Sequence, residues 1–255
     1  MENPRILSSF FKDKAKTKER PVRVKRKPNL LEALSAVVVL LVIFFFGSLA
    51  DLTRVKEQYA DRIEVLLGIE LGIQPHLCEK LTAFAERFPF DFIIGSTHTF
   101  HKMDAEDKRH YEGVDIEAAV SQYFLEELEN VKNFRGFDVA GHMDFVLRYG
   151  PGALEQFTYA KYGDILDELL KELIASGRGI ECNTSKFVAK NMTNPHRDII
   201  KRYAELGGEI ITFGSDSHVS ERLGEGFKEV GEMVKACGLD YYAIFRQHQP
   251  TFYQI

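Results

Sequence analysis

Five residues of the chain have side chains suited to holding divalent cations: Glu70, His98, His142, Asp216 and His218. All are carboxylates or imidazoles, with no thiolate among them. That set fits a catalytic Zn, Mn or Fe centre better than a structural zinc site. Glu70 and Asp216 are the candidate catalytic carboxylates. A glutamate can bridge two cations with its two oxygens, and two metals about 3.5–4 Å apart can polarise a phosphoryl oxygen and supply a hydroxide. In IITFGSDSH, Asp216 and His218 stand two apart after an apolar run, so an extended chain would point both the same way. Arg148, in GHMDFVLRY, could clamp phosphate bidentately in the same mouth. The alternative for it is a solvated surface arginine. Arg197, which opens a later helix, is a weaker phosphate candidate.

These residues need elements that bring them to one place. Apolar runs at Ile63–Gly68, Phe92–Gly95, Phe137–Gly141, Gly179–Cys182 and Ile210–Phe213 predict strands. Each is followed at once by a polar residue: Glu70, His98, His142, Asn183 or Asp216. Between them, Leu77, Leu81 and Phe84 at helical spacing predict a first helix, and others are predicted at about 115–134, 153–176 and 195–207, with another ending near Cys237 and a tail strand at Tyr241–Phe245. Strands alternating with helices predict a parallel sheet with both faces covered. Polar residues at the C-terminal ends of successive strands are the arrangement of a (β/α) barrel site.

The 255 residues are 45% hydrophobic and 28% charged, enough for one sizeable core. Cys78, Cys182 and Cys237 are three cysteines without CxxC spacing, which excludes a disulfide framework and favours reduced thiols. Cys182, at a strand end, reads as a buried inert thiol. His101 and His110 lie in a charged loop and are predicted to be solvated, and His76 reads as a helix-start residue. Residues 1–28 hold ten Lys/Arg against three acids, although the whole chain has a net charge of −5. The acidic body therefore argues against nucleic-acid binding. Leu34–Ala50 carries no charge, and its 17 residues sit at the short end of a membrane span. Residues 1–50 are thus read apart from a catalytic domain at 51–255.

GIELG (Gly68–Gly72), GSTH (Gly95–His98), GHMD with the following RYG (Gly141–Gly150), ECNTS (Glu181–Ser185) and GSDSH (Gly214–His218) stand in a characteristic order. In that order and spacing the chain resembles the histidinol-phosphatases of the polymerase-and-histidinol-phosphatase (PHP) superfamily. The resemblance runs from Asp51 to the C-terminus. It implies an α/β fold, a distorted (β/α)7 TIM-like barrel with a multinuclear Zn, Mn or Fe site. It implies hydrolysis of a small phosphate ester, L-histidinol phosphate, to L-histidinol and phosphate in cytoplasmic histidine biosynthesis. Glu70 would bridge metals, His98, His142, Asp216 and His218 would be ligands, and Arg148 would hold the phosphate. Such proteins begin with a His-x-His strand and a second strand ending in another histidine, whereas no histidine here precedes His76. The barrel is therefore expected to lack its first two strands, with three ligands absent and metal affinity and activity reduced. Residues 1–50 then read as non-ancestral, and a membrane anchor through 34–50 is the less favoured alternative. Two other readings stay open: a non-catalytic remnant barrel that binds a metal or partner, and a phosphoesterase with another substrate.

Overall fold

The computed structural model describes residues 49–255. The expectations for the basic segment and for nearly all of the 34–50 run lie outside the described residues. No helix among the described residues is long and apolar enough to cross a membrane. The chain divides into two compact units at Val55/Lys56. Of the first unit, residues 49–55 are helical, and Arg54 pairs with Asp51 at 3.2 Å. Everything below concerns the second unit.

Five parallel strands form its sheet: β1 (Gly68–Gly72), β2 (Phe92–Ser96), β5 (Val139–Ala140), β6 (Gly179–Asn183) and β7 (Ile211–Gly214), in that spatial order. A two-residue ribbon, β3 (Thr99–Phe100) with β4 (Met103–Asp104), decorates the loop after β2. The connecting helices are α1 (Cys78–Arg87), α2 (Ile116–Asn133), α3 (Tyr159–Ala175), α4 (Arg197–Glu205) and α5 (Phe227–Ala236). A parallel sheet needs such crossovers; α2 to α5 each bury an apolar stripe, whereas α1 buries no residue fully. Leu166, Leu169, Leu170 and Leu173 of α3 are fully buried, as their spacing predicts. The polar N-cap that starts α2 is Asp115, whose carboxylate accepts from the Ala118 amide.

Three local expectations change. The strand carrying Glu70 is Gly68–Gly72, not the more apolar Ile63–Gly68, so Glu70 sits within β1 opposite Ile94. The predicted 153–176 helix breaks into Ala153–Gln156 and α3, because Thr158 is extended (φ −138°, ψ 139°). The tail strand forms as β8 (Tyr241–Arg246) but pairs antiparallel with β9 (Gln249–Gln254), outside the five-stranded sheet. Among the described residues no pairing joins β1 to β7, so the predicted barrel is represented by an open run of five strands.

The β8–β9 hairpin covers one face of that sheet. Ala243 and Phe245 pack on Val139, with Phe92, Ile94 and Ile210 around them. The Phe92 and Phe245 rings stack at 5.2 Å. Asp138, just before β5, secures the hairpin turn: its carboxylate faces His248 Nδ1 at 3.0 Å and accepts from the Ile93 amide at 2.7 Å. Asp91 accepts from the Gln247 and Leu67 amides beside it. Asp138→Ala strands a buried amide, so urea denaturation should show a loss of about 1–3 kcal/mol. Amide exchange across Gln249–Gln254 should quicken as well. An unchanged unfolding midpoint would show that the hairpin needs no such anchor.

Candidate metal centre

Parallel pairing puts the C-terminal ends of β1, β2 and β5 side by side, and each end supplies one donor. Glu70 comes from β1, His98 follows β2 by two residues, and His142 follows β5 by two. Glu70 Oε1 lies 3.2 Å from His98 Nε2 and 3.1 Å from His142 Nε2, and the two Nε2 atoms are 3.2 Å apart. Three donor atoms at nearly equal separations mark one face of a tetrahedron. Zinc bonds of 2.0–2.1 Å would give an edge of roughly 3.3–3.4 Å, so the residues present fit a zinc-like cation. Two imidazole N–H groups facing each other would be unfavourable, whereas two nitrogen lone pairs and a carboxylate oxygen can share one cation. Among the described residues this is the group of three or more such donors that could hold a metal. Burial acts to raise the Glu70 carboxyl, but hydrogen bonds from His142 and His98 outweigh it and hold the group well below the usual carboxylate range.

The backbone is bent to make this possible. His142 has a positive φ of 20°, an uncommon conformation for a non-glycine residue. Its amide donates to Glu181 Oε2 at 3.0 Å, which holds the turn. Glu181 is wholly buried, and burial pushes its carboxyl up despite the amide and the nearby imidazole. Gly214, of the GSDSH motif, makes room for it: a Cβ there would stand 2.0 Å from Glu181 Oε1. Gly141 is constrained in the same way, because a Cβ would meet Ser96 Oγ at 2.3 Å.

Asp216 and His218 are neighbours, with His218 Nε2 3.5 Å from Asp216 Oδ1, but they do not join the Glu70–His98–His142 group. The chain there is not extended as alternation requires. Asp216 adopts a left-handed conformation (φ 47°), which leaves His218 91% exposed while Asp216 turns toward Arg148. Arg148 is no solvated surface arginine, since its side chain is only 4% exposed. Nε donates to Asn194 Oδ1 (2.6 Å), Nη2 to Asn183 Oδ1 (2.9 Å), and Nη1 makes a long contact to Asp216 Oδ2 (3.5 Å). The guanidinium lies over the Phe145 ring, which also flanks His98 and His142 at 5.1 and 4.7 Å. Of five N–H groups, two remain for an anion. Arg197 is exposed at the start of α4, its carbonyl accepting from Cys237, and shares no hydrogen bond or ion pair with the donor triad.

Of the two loop histidines expected to be solvated, one differs. His110 is buried and stacks on Phe100 at 4.0 Å, while His101 is exposed and faces Glu126. Cys182 is fully buried, and burial raises its thiol far above the usual range. Sequence reasoning passed over Asp144, Glu181 and Asn194, all buried near these groups. The signal available for Asp144 and Glu181 was a charged residue inside an otherwise apolar motif, GHMDF and GIECN.

The model of the PHP domain family matches residues 42–185. A histidinol-phosphatase of Lactococcus lactis is 30% identical over 196 residues, covering 76% of this chain and 73% of its own. A Clostridium acetobutylicum protein named "Probable histidinol-phosphatase" is 31% identical over 176 residues, 69% of each chain. The crystal structure of the Lactococcus lactis histidinol phosphate phosphatase with zinc, L-histidinol and phosphate superposes with a TM-score of 0.73. It is 28% identical to this chain over 80% of it, and 78% of that chain is covered. The five-stranded α/β fold is thus that of the TIM-like relative.

Replacing a donor should weaken metal uptake directly. Calorimetric titration with Zn²⁺ should show affinity falling at least about 10-fold in Glu70→Gln, with a similar fall in His98→Ala. An unchanged isotherm in both would remove the triad as a cation site.

Proposed function

The chain belongs to the PHP domain family, and we propose on that premise that it is a metal-dependent histidinol-phosphatase. It hydrolyses L-histidinol phosphate to L-histidinol and phosphate in histidine biosynthesis. The observation that carries this reading is the convergence of Glu70, His98 and His142 on one point, with Arg148 held across the same strand ends. Its identity to histidinol-phosphatases supports the choice of substrate.

Glu70, His98 and His142 hold one divalent cation, and Asp216 and His218 serve a neighbouring position. A cation held there supplies Lewis-acid polarisation of a phosphoryl oxygen. Glu70 would face the cation as a carboxylate, its negative charge offsetting part of the metal's while the two imidazoles stay neutral. Arg148 turns its two spare N–H groups to the phosphate, with Asn183 and Asn194 fixing the plane of the fork. Phe145 backs the guanidinium and both imidazoles, which lowers the local dielectric and strengthens each contact. Arg197 we place at the rim as a secondary anion contact. The acidic body suits a small-molecule substrate rather than nucleic acid, and its free cysteines suit the cytoplasm.

The test is phosphate release from L-histidinol phosphate with Mn²⁺, Zn²⁺ or Fe²⁺ added. His142→Ala should lower kcat/KM by about 100-fold or more, in the range for removing one preorganised electrostatic group. Chelation should abolish turnover. Arg148→Lys should raise KM, because the fork is lost while a charge remains. Metal-independent release, or turnover only with other phosphoesters, would overturn the assignment.

A further inference from the structure

Arg148 owes its orientation to a pair of buried residues that contact neither the donor triad nor solvent. Asp144 is wholly buried and uses both carboxylate oxygens: Oδ1 accepts from Asn194 Nδ2 at 2.5 Å, and Oδ2 accepts from the His196 amide at 2.6 Å. An amide side chain whose nitrogen is fixed in this way has only one direction for its oxygen. Asn194 Oδ1 points at Arg148 Nε, 2.6 Å away. Asn194 itself is fully buried, and its backbone bridges to Asn183, which receives Arg148 Nη2. Without Asp144, the Asn194 amide could turn over and present an N–H to the guanidinium, donor against donor.

We propose that Asp144 is a positioning residue which, through the amide orientation of Asn194, sets the guanidinium of Arg148 and thereby the affinity for the phosphoryl group. This rests on the reading of Arg148 as the phosphate holder. The arrangement has a polarity that can be reversed. In Asp144→Asn one oxygen becomes a donor, so Asn194 Nδ2 and the His196 amide can no longer both be accepted. In Asn194→Asp two carboxylates face each other in a buried place. In the double swap, Asp144→Asn with Asn194→Asp, residue 144 donates to residue 194 and accepts from the His196 amide. Residue 194 then keeps an oxygen for Arg148. A scaffold that served stability alone would lose and recover only its thermal midpoint through these variants, with phosphate affinity unmoved.

The experiment is calorimetric binding of inorganic phosphate to the Zn²⁺-loaded full chain, with KM and kcat for L-histidinol phosphate and the thermal midpoint measured beside it. Asp144→Asn should weaken phosphate binding by about 10-fold, the low end for removing an outer partner, and raise KM more than it lowers kcat. The double swap should restore phosphate affinity to near the wild-type value. If Asp144→Asn fails to fold, Asn194→Asp alone against the double swap gives the same comparison. Phosphate affinity unchanged in the singles, or unrecovered in a folded double swap, overturns the positioning role. A wild type that binds no phosphate overturns the functional reading and this proposal with it, whereas a binding wild type with an indifferent Asp144→Asn overturns the positioning alone.

Discussion

One carboxylate and two imidazoles are held within 3.2 Å of one another, and the rest of the structure is arranged around that crowding. Side chains with like donors do not gather at this distance without something to hold them. What holds them is the register of a parallel sheet. Glu70 pairs with Ile94 across β1 and β2, and Gly95 pairs with Ala140 across β2 and β5. Three adjacent strands therefore end within one residue of the same level, and the residues just past the ends of β2 and β5 meet the glutamate in the middle of β1. The helices and the β8–β9 hairpin bury the two faces of the sheet and so keep that register.

A second layer of buried polar groups supports the first. Glu181 secures the backbone of His142, and Asp144 with Asn194 secures Arg148. Both acids are deeply buried, and burial raises their carboxyls, yet each is met by an N–H donor from a residue of the site. Such groups cost folding free energy unless fully hydrogen-bonded. Their presence ties the ordering of the mouth to the folding of the core. Metal donors and guanidinium thereby reach their places as parts of one network, joined through Asn183, which touches both Glu181 and Arg148.

Much of this was legible in the sequence because apolar runs that end in a polar residue mark both the strand and its chemistry. That pattern singles out Glu70, His98 and His142, and the three converge. The boundary of β1 was misread because the apolar Ile63–Leu67 outweighs the glycine-flanked GIELG, and strand propensity does not report pairing. β9 escaped notice because QPTFYQ has an early proline and residues that stay largely exposed, so no buried face announces it. The partners of Arg148 were hidden for a different reason. Asn194 lies 46 residues from it, and Asp144 lies 50 residues from Asn194, distances that only the assembled sheet closes. The turn at Asp216 was equally unreadable, since an Asp in left-handed backbone looks in sequence like any other.

The central claim is that Glu70, His98 and His142 bind one cation together. Anomalous diffraction at the zinc edge from crystals of the metal-loaded protein tests it most directly. The account requires a peak bonded at about 2.0–2.1 Å to Glu70 Oε1 and to Nε2 of both histidines. A zinc peak ligated elsewhere, with these three side chains free of it, would contradict the account.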